Sequence, residues 1–187
     1  MPRRRPGRPA RQVLTRDRIL EAALVLLEQD GLDGVTIRAL ARRLRVDPMA
    51  IYHYVEDRHA LLREAAALAY TRLPARAGTA GTWQARLVSL AVAYVELLSR
   101  AGELLRYLTA REEAAVLPTR IVEARFRTAT EDLALAPRDY RAAHDAFVDF
   151  VHGFSLGVRG PLSPALRRRL RDELGILLAG IAARAAV

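Results

Sequence analysis

The sequence predicts an all-α protein, and three observations carry that reading. Apolar residues recur at three- and four-residue spacing along almost the whole chain, strand-type alternation is nearly absent, and cap and breaker residues divide the chain at helix-sized intervals. With 187 residues, 51% of them hydrophobic and 27% charged, the chain can bury a sizeable core as one compact domain or two small ones.

The elements follow in order. The start carries Pro2, Pro6, Gly7 and Pro9 among arginines and reads as a flexible basic arm over residues 1–14. Thr15 caps a first helix to about Asp30, whose buried stripe is Ile19, Ala23, Leu26 and Leu27 and which Gly31 ends. Thr36 caps a second helix to about Leu44. Asp47 followed by Pro48 opens a third, since proline suits the first helical position, where no N–H is needed. Asp57 caps a fourth helix to about Arg72. The small, turn-prone run PARAGTAGT at 74–82 is the clearest composition break, so units at 15–72 and 73–187 are expected. Further helices are expected at about 83–100, 103–109, 118–133, 137–158 and from Pro164 onward, the last capped by Ser163.

Composition narrows the chemistry. All 30 basic side chains are arginine and the net charge is +9, which asks for a polyanionic partner, either nucleic acid or an anionic membrane surface. Seven of those arginines, against one aspartate, lie in the first 18 residues. The absence of cysteine excludes disulfides, thiolate metal sites and a cysteine nucleophile. His53, His59, His144 and His152 are scattered and leave little for zinc. Asp145, Asp149 and His152 share a helix face, but such a set on one helix rarely closes a metal site, and a solvated or dimer-rim face is expected. No metal and no cofactor are expected. The longest apolar run, Leu174 to Ala183, falls short of the roughly 18 residues a membrane span needs. Glu21 breaks the only stretch that mimics a signal peptide, so the chain is expected to be soluble and cytoplasmic, with no membrane partner.

The run TIRALARRLRVDPMAIYHYVEDRHALL, from Thr36 to Leu62, concentrates the informative residues. Two short helices meet at a turn around Arg45 and Val46. Ala41 sits at their close crossing, and Leu40, Leu44, Val46 and Ile51 fill the wedge. That spacing fits a helix-turn-helix and equally an ordinary αα-corner. The polar face separates them. Arg38, Arg42, Arg43, Arg45 and Arg58 surround Tyr52, His53 and Tyr54, which supplies the guanidinium and hydroxyl donors that phosphates need. Pro48, Met49 and Ala50 suit thymine methyls, and Arg38 suits guanine. Together these favour double-stranded DNA.

Residues 15–72 resemble the N-terminal domain of the TetR family of transcriptional repressors. The resemblance rests on TRDRILEAALVLLEQDGLDGVTIRALA, VDPMAIYHYV and DRHALL. It implies base contacts from Arg38, Pro48, Met49 and His53, and phosphate contacts from Thr36, Tyr52, Tyr54 and Arg58. The chain departs from the family at the turn, where Arg45 replaces the usual glycine. A left-handed arginine there costs on the order of 1 kcal/mol but offers a phosphate donor. The reading helix is also poor in hydrogen-bonding groups at Met49 and Ala50, which puts weight on DNA shape. In the arm, Gly7-Arg8-Pro9 is similar to an AT-hook core, so Arg5 and Arg8 are candidates for the minor groove; a solvated, phosphate-seeking tail fits equally.

The C-terminal half resembles the family only in its helical plan and in the segment FVHGFSLGV, Phe150 to Val158, so its residues are read physically. An effector pocket is what the resemblance implies, for a largely apolar small molecule, and Trp83, Tyr94, Tyr107, Phe126, His144 and Phe147 are its candidate lining. The helix from Pro137 is apolar on two faces, and the last helix carries Leu166, Leu170, Leu174, Leu177 and Ile181 along one side. A homodimer packed through Phe150, Gly153, Gly157, Leu170, Leu174, Leu177 and Ile181 is expected, against the alternative of a deep monomer core. Arg167, Arg168, Arg169 and Arg171 read as solvated or paired with Asp172 and Glu173.

The sequence therefore points to a ligand-released repressor that binds a two-fold operator in the major groove. A constitutive or architectural DNA binder of the same fold is the alternative. An all-α enzyme is the remote one, since no paired carboxylates, nucleophile–base pair or phosphate loop is present.

Overall fold

The computed structural model describes residues 13–73, 81–100, 103, 107, 108, 110–158 and 160–185. Among these residues every regular element is a helix. The helices are α1 (Arg16–Gly34), α2 (Ile37–Leu44), α3 (Pro48–Tyr52), α4 (Arg58–Thr71), α5 (Trp83–Arg100), α6 (Glu112–Ala129), α7 (Pro137–Leu156) and α8 (Pro164–Ala185). Arg5 and Arg8 of the arm lie outside the described residues, as do most of the 74–82 break and of the helix expected at 103–109.

The caps explain the N-terminal boundaries. Thr15, Thr36, Asp47 and Asp57 each have extended backbone and accept from an N–H two or three residues ahead, which satisfies a donor the helix cannot pair itself. Gly31, at φ 70°, interrupts the helical backbone of α1. The bond from the Ala60 N–H holds the Asp57 carboxyl below its ordinary range.

Two boundaries differ from the sequence reading. The helix expected to begin at Pro118 begins at Glu112, with Pro118 inside it, and ends at Ala129. Proline only removes the N–H that would reach the Ala114 carbonyl, and a buried ring in the packed wall holds its place within the helix.

Helix α1 packs on α2 and α4, and α2 on α3. Helix α4 also packs on α6, while α5 contacts α6, α7 and α8, and α7 contacts α8. One apolar core runs through both halves, from Ile19, Leu40, Ile51 and Leu61 to Leu90, Phe126, Phe147 and Leu170. Helix α4 is thus shared between the two groups of helices.

The dimer face needs correction. Leu170 and Leu174 are fully buried in the chain's own core and Ile181 is 4% exposed, so none of the three is free to meet a second copy. The strongest apolar stripe of α8 is used inside the monomer. Phe150 and Leu177 are half-buried, Gly153 and Gly157 are exposed, and nothing of the chain lies within 4 Å of a Cβ built on Gly153. The large apolar side chains exposed on α7 and α8 are Leu156, 69% exposed, and Ile176, 78% exposed. Arg167 pairs with Glu96 of α5 rather than with its own helix, and Arg169 pairs with Glu173 at 2.6 Å. No helix among the described residues is long and apolar enough to cross a membrane.

Candidate nucleic-acid interface and internal cavity

Helices α2 and α3 meet at a tight, fully hydrogen-bonded turn. The Val46 N–H donates to the Ala41 carbonyl at 3.1 Å and the Arg45 N–H to the Arg42 carbonyl at 3.3 Å. This is the double closure of a left-handed helix end, and Arg45 adopts it at φ 56°, ψ 47°. Leu40 and Ile51 are fully buried in the wedge, with Leu44 and Val46 half-buried around them. Packing of these four residues fixes the angle between α2 and α3.

The outer face is basic and partly apolar. Arg38, Arg42 and Arg45 are exposed, and their guanidinium groups have no hydrogen-bond or ion-pair partner among the described residues. Arg43 reaches Gln29 at 3.2 Å. Pro48 and His53 are exposed, Ala50 is half-buried, and Met49 and Tyr52 are large side chains left 67% and 48% exposed. Thr36 is exposed, its hydroxyl oxygen accepting from the Ala39 N–H at 3.1 Å.

Two candidate phosphate ligands are turned inward instead. The Tyr54 hydroxyl donates to the Leu14 carbonyl at 2.8 Å. Arg58 donates from Nε to the Val35 carbonyl at 2.8 Å and from a terminal nitrogen to the Leu32 carbonyl at 2.5 Å. Leu32 lies in the last turn of α1 and Val35 directly follows that helix, so Arg58 supplies donors to backbone groups at a helix end and ties the start of α4 to that turn. The same turn receives Glu103, which accepts from the Leu32 N–H.

A cavity of about 110 Å³ lies between α4, α5, α6 and α7. Tyr70, Tyr94, Pro118, Thr119, Val122, His144, Val148 and His152 are among its lining residues, and among the described residues no arginine or carboxylate lines it. Of the six candidates, only Tyr94 and His144 line it. Phe126 and Phe147 are wholly buried core, with ring centres 5.4 Å apart. Tyr107 is buried and donates to the His59 carbonyl at 3.3 Å, and Trp83 is half-buried against the core away from the cavity.

Sequence reasoning misses Tyr70 and His152 as lining residues. His152 is not on a solvated face: its Nε2 lies 2.7 Å from the Tyr94 hydroxyl, which lies 3.4 Å from the Tyr70 hydroxyl. Burial pushes the Tyr70 hydroxyl up to about 12 and that of Tyr94 further still, and it lowers His152, with Asp149 opposing. The three groups are therefore uncharged at neutral pH. Among the described residues no group of His, Asp and Glu could hold a metal ion.

Comparison with known proteins places this architecture. Residues 19–65 match "Bacterial regulatory proteins, tetR family". The HTH-type transcriptional repressor DrrR1 of Streptomyces coeruleorubidus is 39% identical over 59 residues, which are 32% of this chain and 22% of that protein. The match thus spans less than a quarter of that relative's length. BioQ of Mycobacterium smegmatis is 28% identical with a TM-score of 0.70, over 91% of this chain and 99% of that one, and BioQ has also been solved with its double-stranded DNA operator. The fold is shared with the TetR family protein ActR of Streptomyces coelicolor, solved in complex with (S)-DNPA, at 22% identity and a TM-score of 0.70, over 92% and 99% of the two chains. Residues 19–65 thus carry the DNA-binding pattern of the tetR-family regulators, in α1 to α4, and the described residues share their fold.

Proposed function

We propose that this protein is a homodimeric transcriptional repressor that binds a two-fold DNA operator and is released by a small molecule in the cavity between α4 and α7. Residues 15–72 form its DNA-binding domain, and residues 73–187 its effector-binding and dimerisation domain. The observation that carries the reading is the face of α2 and α3. Three exposed arginines whose guanidinium groups lack partners among the described residues flank a short helix that leaves Met49 and Tyr52 in water. A basic rim around a small apolar centre suits phosphates on either side of a base edge.

In this reading Arg38, Pro48, Met49, Ala50 and His53 meet the bases, while Thr36, Arg45 and Tyr52 meet phosphates. The dimer uses Phe150, Gly153, Gly157 and Leu177 together with Leu156 and Ile176, the large apolar side chains exposed on α7 and α8.

Helix α4 supports the coupling between sites. Tyr70, near its end, lines the cavity, and Arg58, at its start, holds the turn that precedes α2. Twelve residues separate them, about 18 Å along a helix. A ligand that displaces Tyr70 moves α4 and with it the turn. Release requires a coupling of about 1–3 kcal/mol between the sites.

Selection from random double-stranded DNA tests the first part. Enrichment of a two-fold sequence with half-sites about one helical turn apart is expected. Enrichment of a single half-site, or none, overturns it.

A further inference from the structure

The cavity's wall carries a buried side-chain polar atom that has no hydrogen-bond partner among the described residues. His144 lines the cavity, and its Nε2 is buried without a hydrogen bond. Its other nitrogen, Nδ1, lies 3.0 Å from a carboxylate oxygen of Asp145. A carboxylate only accepts, so Nδ1 carries the hydrogen, and in the neutral ring Nε2 is then an acceptor. An edge-on contact with Phe126, ring centres 5.4 Å apart, steadies the ring.

The remaining wall sets the rest of the ligand. Tyr94 and His152 already bond each other at 2.7 Å, and among the described lining residues no arginine offers a counter-charge to an anion. A buried carboxylate there would lose its hydration with nothing to replace it. The cavity, about 110 Å³, is of the order of the ~150 Å³ engineered cavity that takes benzene, so it suits one ring.

We infer that the cavity takes a compact, uncharged, single-ring molecule bearing a hydroxyl or N–H, which donates to Nε2 of His144. The inference deepens the effector reading and rests on this cavity being the effector site, but ligand choice can be measured without DNA.

Phenol and toluene differ only by hydroxyl against methyl, and benzoate adds the charge. Calorimetric titration of the full-length protein at about pH 8, above the ordinary histidine range, compares the three. Phenol is expected to bind at least about fivefold tighter than toluene, because toluene leaves the acceptor unpaired. In His144→Leu the order is expected to reverse. In the wild-type protein, the imidazole ¹⁵N resonance of His144 Nε2 is expected to shift on adding phenol and to stay on adding toluene, a reading that needs no variant to fold. Equal or tighter toluene binding, tighter benzoate binding, an unchanged preference in His144→Leu, or no binding of any of the three overturns the assignment. Phenol binding through Nε2 without any change in operator affinity supports it and refutes the release mechanism alone.

Discussion

Arg45→Gly separates what the turn costs from what it does. Arg45 sits at φ 56°, ψ 47°, where an L-residue is disfavoured by about 1–2 kcal/mol through the approach of its Cβ to the following carbonyl. Glycine removes that strain but loses about 0.5–1 kcal/mol through its freer unfolded chain. The net gain is up to about 1.5 kcal/mol, which for a chain of this size raises Tm by up to about 6 °C. The hydrogen bonds of the turn use backbone only, so they survive the substitution. Operator binding is expected to move the other way. One phosphate contact carries about 0.9 of the slope of log K against log salt, so a dimer loses about 1.8. At about 0.15 M salt the same relation gives about fivefold weaker binding per subunit and about 25-fold for the dimer. Thermal denaturation and operator titration at several salt concentrations read the two effects. Arg45→Ala is the control, since it loses the charge and keeps the backbone cost. A salt slope unchanged in both variants refutes the DNA contact, and a lower Tm in Arg45→Gly refutes the account of the turn.

Three further substitutions test other parts of the structure. Arg58→Leu removes the guanidinium donor from the Val35 carbonyl and leaves the Leu32 carbonyl only the Val35 N–H, and it is expected to cost about 2 kcal/mol in urea denaturation, with Arg58→Lys recovering part of it; a cost below about 1 kcal/mol would show that the turn does not need the clamp. His152, lowered by burial, stays neutral in the fold while the unfolded chain takes up its proton near pH 6.5. Its contribution to stability is therefore complete above that pH and is lost as the pH falls towards the folded value, so His152→Gln should lose less stability than wild type between about pH 7.5 and pH 5.5. Equal losses in the two proteins would remove His152 from that account. Ile176→Asp, on an exposed site, is expected to convert dimer to monomer in sedimentation with the helical signal intact, and a dimer that persists excludes this face.

Legibility in the sequence follows the range of the interactions. Thr15, Thr36, Asp47-Pro48 and Asp57 mark four helix starts correctly because a cap bonds within three residues of itself. The left-handed Arg45 is legible for the same reason: the turn is defined by its neighbours. Pro118 misleads because the local rule against proline inside a helix yields when tertiary packing holds the ring. Tyr94 and His152 are 58 residues apart, and no spacing announces their bond. Arg58 and Tyr54 belong to a run that reads as a DNA face, yet each finds a backbone carbonyl more than 20 residues earlier in the chain.

The last helix departs from the sequence pattern for a different physical reason, and it bears on how a dimer of this chain would be built. A helix with one strong apolar stripe and a weak second one gives the strong stripe to its own core, where burial is permanent and contributes about 25 cal/mol per Å². In α8 that stripe is Leu170, Leu174, Leu178 and Ile181. What is left for a partner is sparse: Ile176, the half-buried Leu177, and Gly175 and Gly180, around which a Cβ would meet nothing within 4 Å. Small residues let two helices approach closely, so contact depends on shape more than on the number of apolar side chains. A larger side chain at Gly180 should therefore weaken the dimer as effectively as a charge at Ile176, while leaving each monomer's core untouched.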